Sequence, residues 1–242
     1  MNRALVIEND PTDDPRRLGD WLTAGGLALH VVRPHAGDSL PETLDGYVAL
    51  VVLGGEQAAY GSTPWFPAVE ALLRKAVKHR VPALGVCLGG QLLARAMGGT
   101  VERSAAGPEI GPALVARRDA AESDPLFARV PFTPDVYQWH EDEITELPPG
   151  VLLLAASTRY PHQAFRVGDR AWGLQFHIEC DTAMLADWAA TDDEIDAEAL
   201  LEACAAVLDD VEEVWRPFAE RFAALALGRL DTGTRALPLL GQ

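Results

Sequence analysis

The first hundred residues alternate between short apolar runs of strand length and longer segments with helical apolar spacing. The predicted strands are Arg3–Glu8, Leu27–Val32, Tyr47–Leu53 and Pro82–Val86, and the predicted helices are Pro15–Ala24, Trp65–His79 and Leu88–Met97. A strand, a helix and a second strand at this spacing form a right-handed unit with parallel strands. The pattern therefore predicts an open, mostly parallel α/β sheet.

The pattern changes after Gly99, where shorter segments are separated by proline and glycine. The predicted strands there are Leu114–Ala116, Val136–Trp139, Val151–Ala156, Gln163–Val167 and Trp172–Phe176. Several are joined by hairpins, which would add an antiparallel edge to the parallel sheet. Helical patterns over Asp181–Ala190 and Ile195–Leu227 predict helices that cover the sheet, and Gly228–Gln242 predicts an irregular tail.

No internal repeat, low-complexity tract or linker divides the chain. We therefore expect one domain over residues 1–242. Its core would cover about residues 2–190, followed by a helical segment over about 191–228 and a tail over 229–242.

A single cysteine, Cys87, lies between the fourth predicted strand and the helix that follows it. Gly85, Gly89 and Gly90 allow the tight backbone of a strand-to-helix elbow, which presents a nucleophile at the carboxyl edge of a sheet. The start of the new helix stabilises a thiolate and offers an N–H donor to an oxyanion. An isolated cysteine is more often a buried core residue. The flanking glycines favour the nucleophile.

Two residues near the end of the last predicted strand complete a possible catalytic group. Alternate residues of an extended segment share a face, so the carboxylate of Glu179 can bond one imidazole nitrogen of His177. The other nitrogen remains free to act on a thiol. A His-x-Glu pair alone is more often structural, but together with Cys87 it fills the roles of nucleophile, base and orienting group.

Composition narrows the classes of partner. The chain has 36 acidic and 20 basic residues and a formal net charge of −16, which repels nucleic acid and anionic lipid. The charge is concentrated in Asp192–Glu202 and Asp209–Glu213, which we expect on the outer faces of helices. Three scattered cysteines, Cys87, Cys180 and Cys204, form neither a disulfide framework nor a metal motif. Because the sequence has no long apolar run, we expect a cytoplasmic protein that does not bind a membrane. We also expect it to need no metal and no cofactor.

The segments GVCLGGQLLA, QFHIE and the LGG at the end of the third strand resemble the class I glutamine amidotransferases, specifically stand-alone domains similar to the glutaminase part of GMP synthase. The resemblance extends from about residue 2 to about residue 190, with weaker likeness in Pro108–Gly111 and Tyr137–Gly150. It implies a flavodoxin-like, doubly wound sheet with helices on both faces. Glu56 and Ile178 stand where relatives usually have proline. These two departures bear on the efficiency of catalysis more than on membership of the family.

The resemblance also implies roles for particular residues. Cys87 would attack the side-chain amide of glutamine, His177 would carry the proton and Glu179 would orient the imidazole. The backbone N–H groups of Gly55 and Leu88 would stabilise the oxyanion.

A second implied group would bind the substrate. It consists of Gly54, Gln91, Trp139 and His140. For Gln91, an exposed position on the elbow helix is an equally good interpretation. A glycine pair such as Gly54 and Gly55 at a strand end is, taken alone, usually only a turn.

Three functions compete at this stage. The leading one is hydrolysis of glutamine to glutamate and ammonia through a cysteine thioester. The second is hydrolysis of γ-glutamyl amides or peptides by the same residues. The third is a non-catalytic interaction module, which would need none of Cys87, His177 and Glu179.

The fate of the ammonia is a separate question. The segment after Glu179 is too short for an ATP-using synthetase domain, and no GxxxxGK[ST] phosphate loop occurs. We therefore expect any ammonia acceptor to be handled by a synthetase partner on another polypeptide. A self-sufficient hydrolase that needs no partner is an equally good interpretation of the sequence.

Overall fold

The computed structural model describes residues 2–191 and 195–230. The strands in this part of the chain are β1 Arg3–Ile7, β2 Ala28–Val32, β3 Ala49–Val52, β4 Ala83–Val86, β5 Thr100–Arg103, β6 Glu109–Leu114, β7 Ala116–Arg117, β8 Asp135–His140, β9 Asp142–Glu146, β10 Leu152–Ala156, β11 Ala164–Val167 and β12 Ala171–Leu174. The α-helices are α1 Arg16–Ala24, α2 Phe66–His79, α3 Leu88–Ala96, α4 Thr182–Ala189, α5 Ala197–Ala206 and α6 Leu208–Ala226.

Eight strands form the central sheet in the order β2-β1-β3-β4-β12-β11-β10-β7. The five strands from β2 to β12 pair in parallel. The remaining three, β11, β10 and β7, pair antiparallel along one edge. The predicted parallel sheet with an antiparallel extension is confirmed.

Helices cover both faces of this sheet, because successive residues of its central strands are apolar and point to opposite sides. On β1, Ala4 and Val6 belong to an apolar cluster with residues of α1, α4 and α6. Leu5 and Ile7 belong to a second cluster with residues of α2 and α3. The fold is therefore a three-layer, doubly wound α/β arrangement.

The second half differs from the expectation in its strand pairing. The segment predicted at Val136–Trp139 lies in β8, which pairs with β6 in a separate two-stranded ribbon. The segment predicted at Leu114–Ala116 is divided between β6 and β7. A second ribbon, β5 with β9, has no counterpart in the prediction. Each of these two strands buries a single residue, Val101 or Ile144, so neither has a strong apolar pattern.

The helical segment predicted at Ile195–Leu227 consists of two helices that meet at Val207. Residues 192–194 of the acidic stretch and residues 231–242 of the predicted tail lie outside the described residues. None of the helices in the described ranges combines the length and the apolar character that a bilayer span requires.

Candidate active site

The predicted elbow is present at the centre of the sheet. Cys87 lies between β4 and α3 with φ 48° and ψ −109°, a backbone conformation that costs about 1–3 kcal/mol in a non-glycine residue. Its N–H donates to the carbonyl of Leu174 at 2.8 Å, and its own carbonyl accepts from the N–H of Gln91 at 2.9 Å. The strained residue is thus held from β12 on one side and from α3 on the other.

Two glycines allow α3 to begin this close to the sheet. A Cβ atom on Gly89 would lie 2.0 Å from the carbonyl oxygen of Val52, and one on Gly90 would lie 2.5 Å from that of Leu174. Any side chain at either position would force the helix away from β3 and β12. The glycines therefore fix the position of Cys87 relative to its neighbours.

The candidate base, His177, lies beyond the end of its strand. We predicted a strand to Phe176, but β12 ends at Leu174 and the chain then bends. The backbone N–H of His177 donates to the carbonyl of Tyr137 at 2.8 Å, and the N–H of Tyr137 donates back at 3.3 Å. This isolated bridge to β8, rather than the central sheet, holds the imidazole in place.

His177 and Glu179 form the expected pair. Nδ1 of His177 is 2.7 Å from Oε1 of Glu179, and both residues are buried. Burial by itself lowers the pKa of His177, but the Glu179 carboxylate and the adjacent Cys87 outweigh it and raise that pKa well above its usual value. Within residues 2–191 and 195–230, Nε2 of His177 is buried without a hydrogen-bond partner. It is the ring nitrogen that the hydrogen bond to Glu179 leaves unused.

The same region contains a potential metal-ligand set. Ligand atoms of His177, Glu179 and Cys180 lie within 4.8 Å of one another. The His177–Glu179 hydrogen bond already uses Nδ1 and one carboxylate oxygen. Burial also raises the pKa of Cys180 well above its usual value, whereas a metal needs a thiolate. The chemistry of this set suits an oriented base better than a metal centre.

A glutamine that we did not single out from the sequence contacts the candidate nucleophile. Nε2 of Gln175 donates to Sγ of Cys87 at 3.8 Å, and its Oε1 accepts from Nε2 of Gln91 at 3.2 Å. Gln91 is only 3% exposed, so it is a buried residue of the site rather than a surface position of α3. The available signal was spacing, because Gln175 precedes His177 by two residues.

Two cavities meet at Cys87. The larger, of about 360 Å³, has Gln91, Trp139 and His140 in its wall. The smaller, of about 70 Å³, has His177 in its wall. Gly54 lines neither cavity.

The two residues expected to form an oxyanion hole are neighbours in space. A Cβ atom on Gly55 would lie 3.0 Å from Cδ2 of Leu88. Leu88 is the first residue of α3, so its N–H is among those that a helix leaves without an internal partner. Gly55 lines both cavities beside Cys87. This arrangement is compatible with the predicted role, which stays a prediction.

The ring of His140 is held by a buried chain of polar groups. Gln163 donates to the Glu109 carboxylate at 2.8 Å, and Gln138 donates to Oε1 of Gln163 at 3.0 Å. Oε1 of Gln138 therefore accepts from Nε2 of His140 at 3.0 Å, while Nδ1 faces the carbonyl of Asp142 at 3.0 Å. Both ring nitrogens face acceptors. Oε2 of the Glu109 carboxylate lies 3.4 Å from Nε2 of His140.

The fold and the site define an α/β protein of the doubly wound class, with a cysteine elbow and a His-Glu pair at the carboxyl edge of its sheet. The family model for class-I glutamine amidotransferases matches residues 21–184. The chain belongs to this family.

Relatives by sequence have different described activities. The glutamine amidotransferase-like protein YfeJ of Salmonella typhimurium is 32% identical over 66% of this chain and 68% of its own length. Gamma-glutamyl peptidase 4 of Arabidopsis thaliana is 30% identical over 60% of this chain and 58% of its own length. The glutamine-hydrolyzing GMP synthase of Thermomicrobium roseum is 38% identical over 54% of this chain but only 23% of its own length. The matched region thus covers less than two thirds of the length of gamma-glutamyl peptidase 4 and of the GMP synthase.

Solved structures of other proteins superpose on nearly the whole chain. A glutamine amidotransferase from Thermotoga maritima superposes with a TM-score of 0.83 at 28% identity, covering 92% of this chain and 98% of the other. A glutamine amidotransferase from Methylobacillus flagellatus gives a TM-score of 0.83 at 27% identity, with 96% of each chain covered. The fold is that of class I glutamine amidotransferases.

Proposed function

We propose that this protein hydrolyses the side-chain amide of glutamine to glutamate and ammonia through a thioester on Cys87. The observation that carries the proposal is the strained elbow at Cys87 beside the buried His177–Glu179 pair. Among the residues that the structure describes, Nε2 of His177 has no hydrogen-bond partner, so it can serve in proton transfer. Membership of the class-I family supports it. A binding module would gain nothing from backbone strain and a buried charge pair, both of which cost stability.

Each proposed step uses one feature of the site. The thiolate of Cys87 attacks the amide carbon, and the N–H groups of Gly55 and Leu88 stabilise the oxyanion. His177 gives a proton from Nε2 to the departing nitrogen, while Glu179 holds the Nδ1–H. Water then attacks the thioester with His177 as base, which releases glutamate and restores the thiol.

The larger cavity is the proposed site of the glutamyl group. Gln91, Trp139 and His140 line it next to Cys87, and the carbonyl of Trp139 accepts from Sγ at 3.9 Å. Because both ring nitrogens of His140 are already bonded, we assign it the role of fixing the cavity wall. A Cβ atom on Gly54 would lie 3.2 Å from Cε1 of His177, so we assign Gly54 the role of leaving room for the imidazole.

A second candidate function is hydrolysis of γ-glutamyl amides or peptides by the same residues. The observation that favours it is the similarity to a protein named gamma-glutamyl peptidase 4. The acyl part of such a substrate is identical to that of glutamine, so the two functions differ only in the group that leaves.

The ammonia acceptor is proposed to belong to another chain. We expect weak glutaminase activity from the isolated protein and stronger activity when a synthetase partner docks near the mouth of the site, since ordering of loops by a partner can complete a catalytic site. A kcat/KM of about 10,000 per molar per second or more without any partner would contradict this expectation.

The deciding experiment measures glutamate and ammonia released by the purified protein from glutamine and from a panel of γ-glutamyl peptides. Cys87→Ala should abolish all turnover, and Cys204→Ala, which removes a buried thiol elsewhere, should not. Preference for a peptide over glutamine would establish the second function. Turnover that survives in Cys87→Ala would refute both.

A further inference from the structure

A buried carboxylate next to the proposed base has no part in the steps above. Asp13 is 5% exposed and lines the smaller cavity together with Cys87 and His177. A Cβ atom on Gly54 would lie 2.3 Å from Oδ1 of Asp13 and 3.2 Å from Cε1 of His177. Both side chains therefore lie over the same glycine, and Asp13 is within reach of groups bound at the imidazole.

The buried carboxyl group of Asp13 has few hydrogen bonds to offset its loss of hydration. In the described part of the chain, its carboxylate has one side-chain hydrogen-bond partner, the Thr12 hydroxyl at 3.3 Å, and that hydroxyl also lies 2.8 Å from Oδ1 of Asp10. The pKa of Asp13 is raised to about 7, chiefly by burial; His177 opposes the rise, Glu179 and Asp10 add to it, and the Thr12 hydrogen bond opposes it. The other titratable groups near the carboxylate or along the same cavity wall are Cys87, Glu56 and Cys180. A buried acid held this way destabilises the fold, which indicates a function.

The two cavities divide the substrate at its scissile bond. Cys87 lines both, but His177 lines only the smaller one. A general acid must be within hydrogen-bond reach of the atom it protonates. With the acyl group in the larger cavity, the departing nitrogen therefore lies in the smaller. Its volume of about 70 Å³ accommodates ammonia, since a water molecule occupies about 30 Å³ in the liquid.

The walls of the smaller cavity suit a cation. The indoles of Trp139 and Trp188 line it with centroids 5.4 Å apart, and Nε1 of Trp188 is fixed by donating to the carbonyl of Thr12 at 3.2 Å. Aromatic faces and a carboxylate are the groups that bind ammonium-type ions in proteins.

We propose that Asp13 binds the departing nitrogen while that nitrogen carries positive charge, so that the smaller cavity is the leaving-group site. The inference rests on the proposed thioester chemistry. In the tetrahedral intermediate, the nitrogen takes a proton from Nε2 of His177 and becomes a substituted ammonium. The oxyanion then re-forms the carbonyl, the C–N bond breaks with its electron pair on nitrogen, and neutral ammonia leaves. Asp13 stabilises the charged nitrogen in this step through its ionised carboxylate.

The test compares glutamine with the γ-methyl ester of glutamate, which forms the same thioester but releases neutral methanol of similar size. We expect Asp13→Asn to lower kcat/KM for glutamine by about 10- to 100-fold and to leave that for the ester nearly unchanged. Asp14→Asn, which removes the same charge one residue away and does not line the cavity, should behave as wild type on both substrates.

A second measurement uses only the unaltered protein. The ratio of kcat/KM for glutamine to that for the ester should rise as Asp13 ionises through about pH 7, and it should be flat in Asp13→Asn. The inference would be overturned if Asp13→Asn lowered kcat/KM equally for both substrates. It would also be overturned if the ratio of the two kcat/KM values in the wild type did not change with pH. If the wild type hydrolyses neither substrate and a glutamine-like electrophile leaves Cys87 unmodified, the proposed function fails and this inference fails with it.

Discussion

Gln175 donates a hydrogen bond to Sγ of Cys87 from a position 88 residues further along the chain. The contact exists because Leu174 pairs in register with Val86, so that the residues following β12 and β4 emerge at the same edge of the sheet. The candidate nucleophile, which directly follows β4, is therefore contacted by the residue that directly follows the neighbouring strand β12.

The first prediction concerns this contact. Gln175→Leu keeps the approximate size of the side chain but removes the donor, and a hydrogen bond to a charged group is worth about 1.5–3 kcal/mol. We expect kcat/KM for glutamine to fall by about 10- to 100-fold. The rate at which iodoacetamide alkylates Cys87 at fixed neutral pH should fall as well. An unchanged alkylation rate would show that the glutamine does not stabilise the thiolate.

The second prediction is that Cys87 is the preferred target of glutamine-like electrophiles and forms a γ-glutamyl thioester. Cys180 and Cys204 are also buried, and burial raises the pKa of Cys204 to about 11 and that of Cys180 well above its usual value. Both thiols should stay protonated and unreactive. Mass spectrometry after limiting alkylation tests this, and equal labelling of Cys87 and Cys204 would contradict it.

The third prediction distinguishes the proposed base, His177, from the residue proposed to orient it, Glu179, by the effect of a substitution at each on turnover. His177→Ala should abolish turnover, since general acid–base catalysis contributes about 100- to 10,000-fold. Glu179→Gln should be milder. The carboxylate accepts from Nδ1 of His177 and from the N–H of Ile178 at 2.9 Å, and an amide oxygen can keep only one of these bonds.

Circular dichroism must first show that both variants are folded. Near-normal rates for His177→Ala would mean that another residue is the base. A Glu179→Gln variant as inactive as His177→Ala would mean that the carboxylate does more than orient the ring.

The fourth prediction is a gain of stability. The pKa of Asp13 is about 7 in the folded protein, so between about pH 4 and pH 7 the folded state holds a proton that the unfolded state has lost. Stability from this group therefore falls as pH rises through that range. Asp13→Asn removes the effect and should be more stable than the wild type at about pH 8 by up to about 4 kcal/mol. The difference should vanish near pH 4.

Urea unfolding of both proteins at the two pH values measures the effect. Asp14→Asn, at a neighbouring and more exposed carboxylate, should follow the wild type at each pH. A stability difference that is the same at both pH values would show that Asp13 is not the group that titrates.

Much of the parallel core could be predicted from the sequence, because β1, β3 and β4 are continuous apolar runs and their helices have clear apolar periodicity. The ribbon strands β5 and β9 could not be predicted, because a strand with a single buried residue shows no alternation of apolar and polar positions. Cys87 and the His177–Glu179 pair were found because glycines and spacing mark them locally. Asp13 and Trp188 were missed because an acid in a loop and a tryptophan in a helix carry no local sign of what they contact.

The place of β12 in the sheet also determines when the site can come into existence. Cys87 leaves the ribosome well before Gln175 and His177, and until β12 is added, β4 remains an open edge. At synthesis rates of about 5–20 residues per second, the 88 residues between Cys87 and Gln175 correspond to a delay of roughly 4 to 18 s. A nascent or prematurely terminated chain thus carries the Cys87 thiol without His177. The proposed amide hydrolysis would depend in this way on completion of the sheet, and unfinished copies of the protein would lack the complete candidate site.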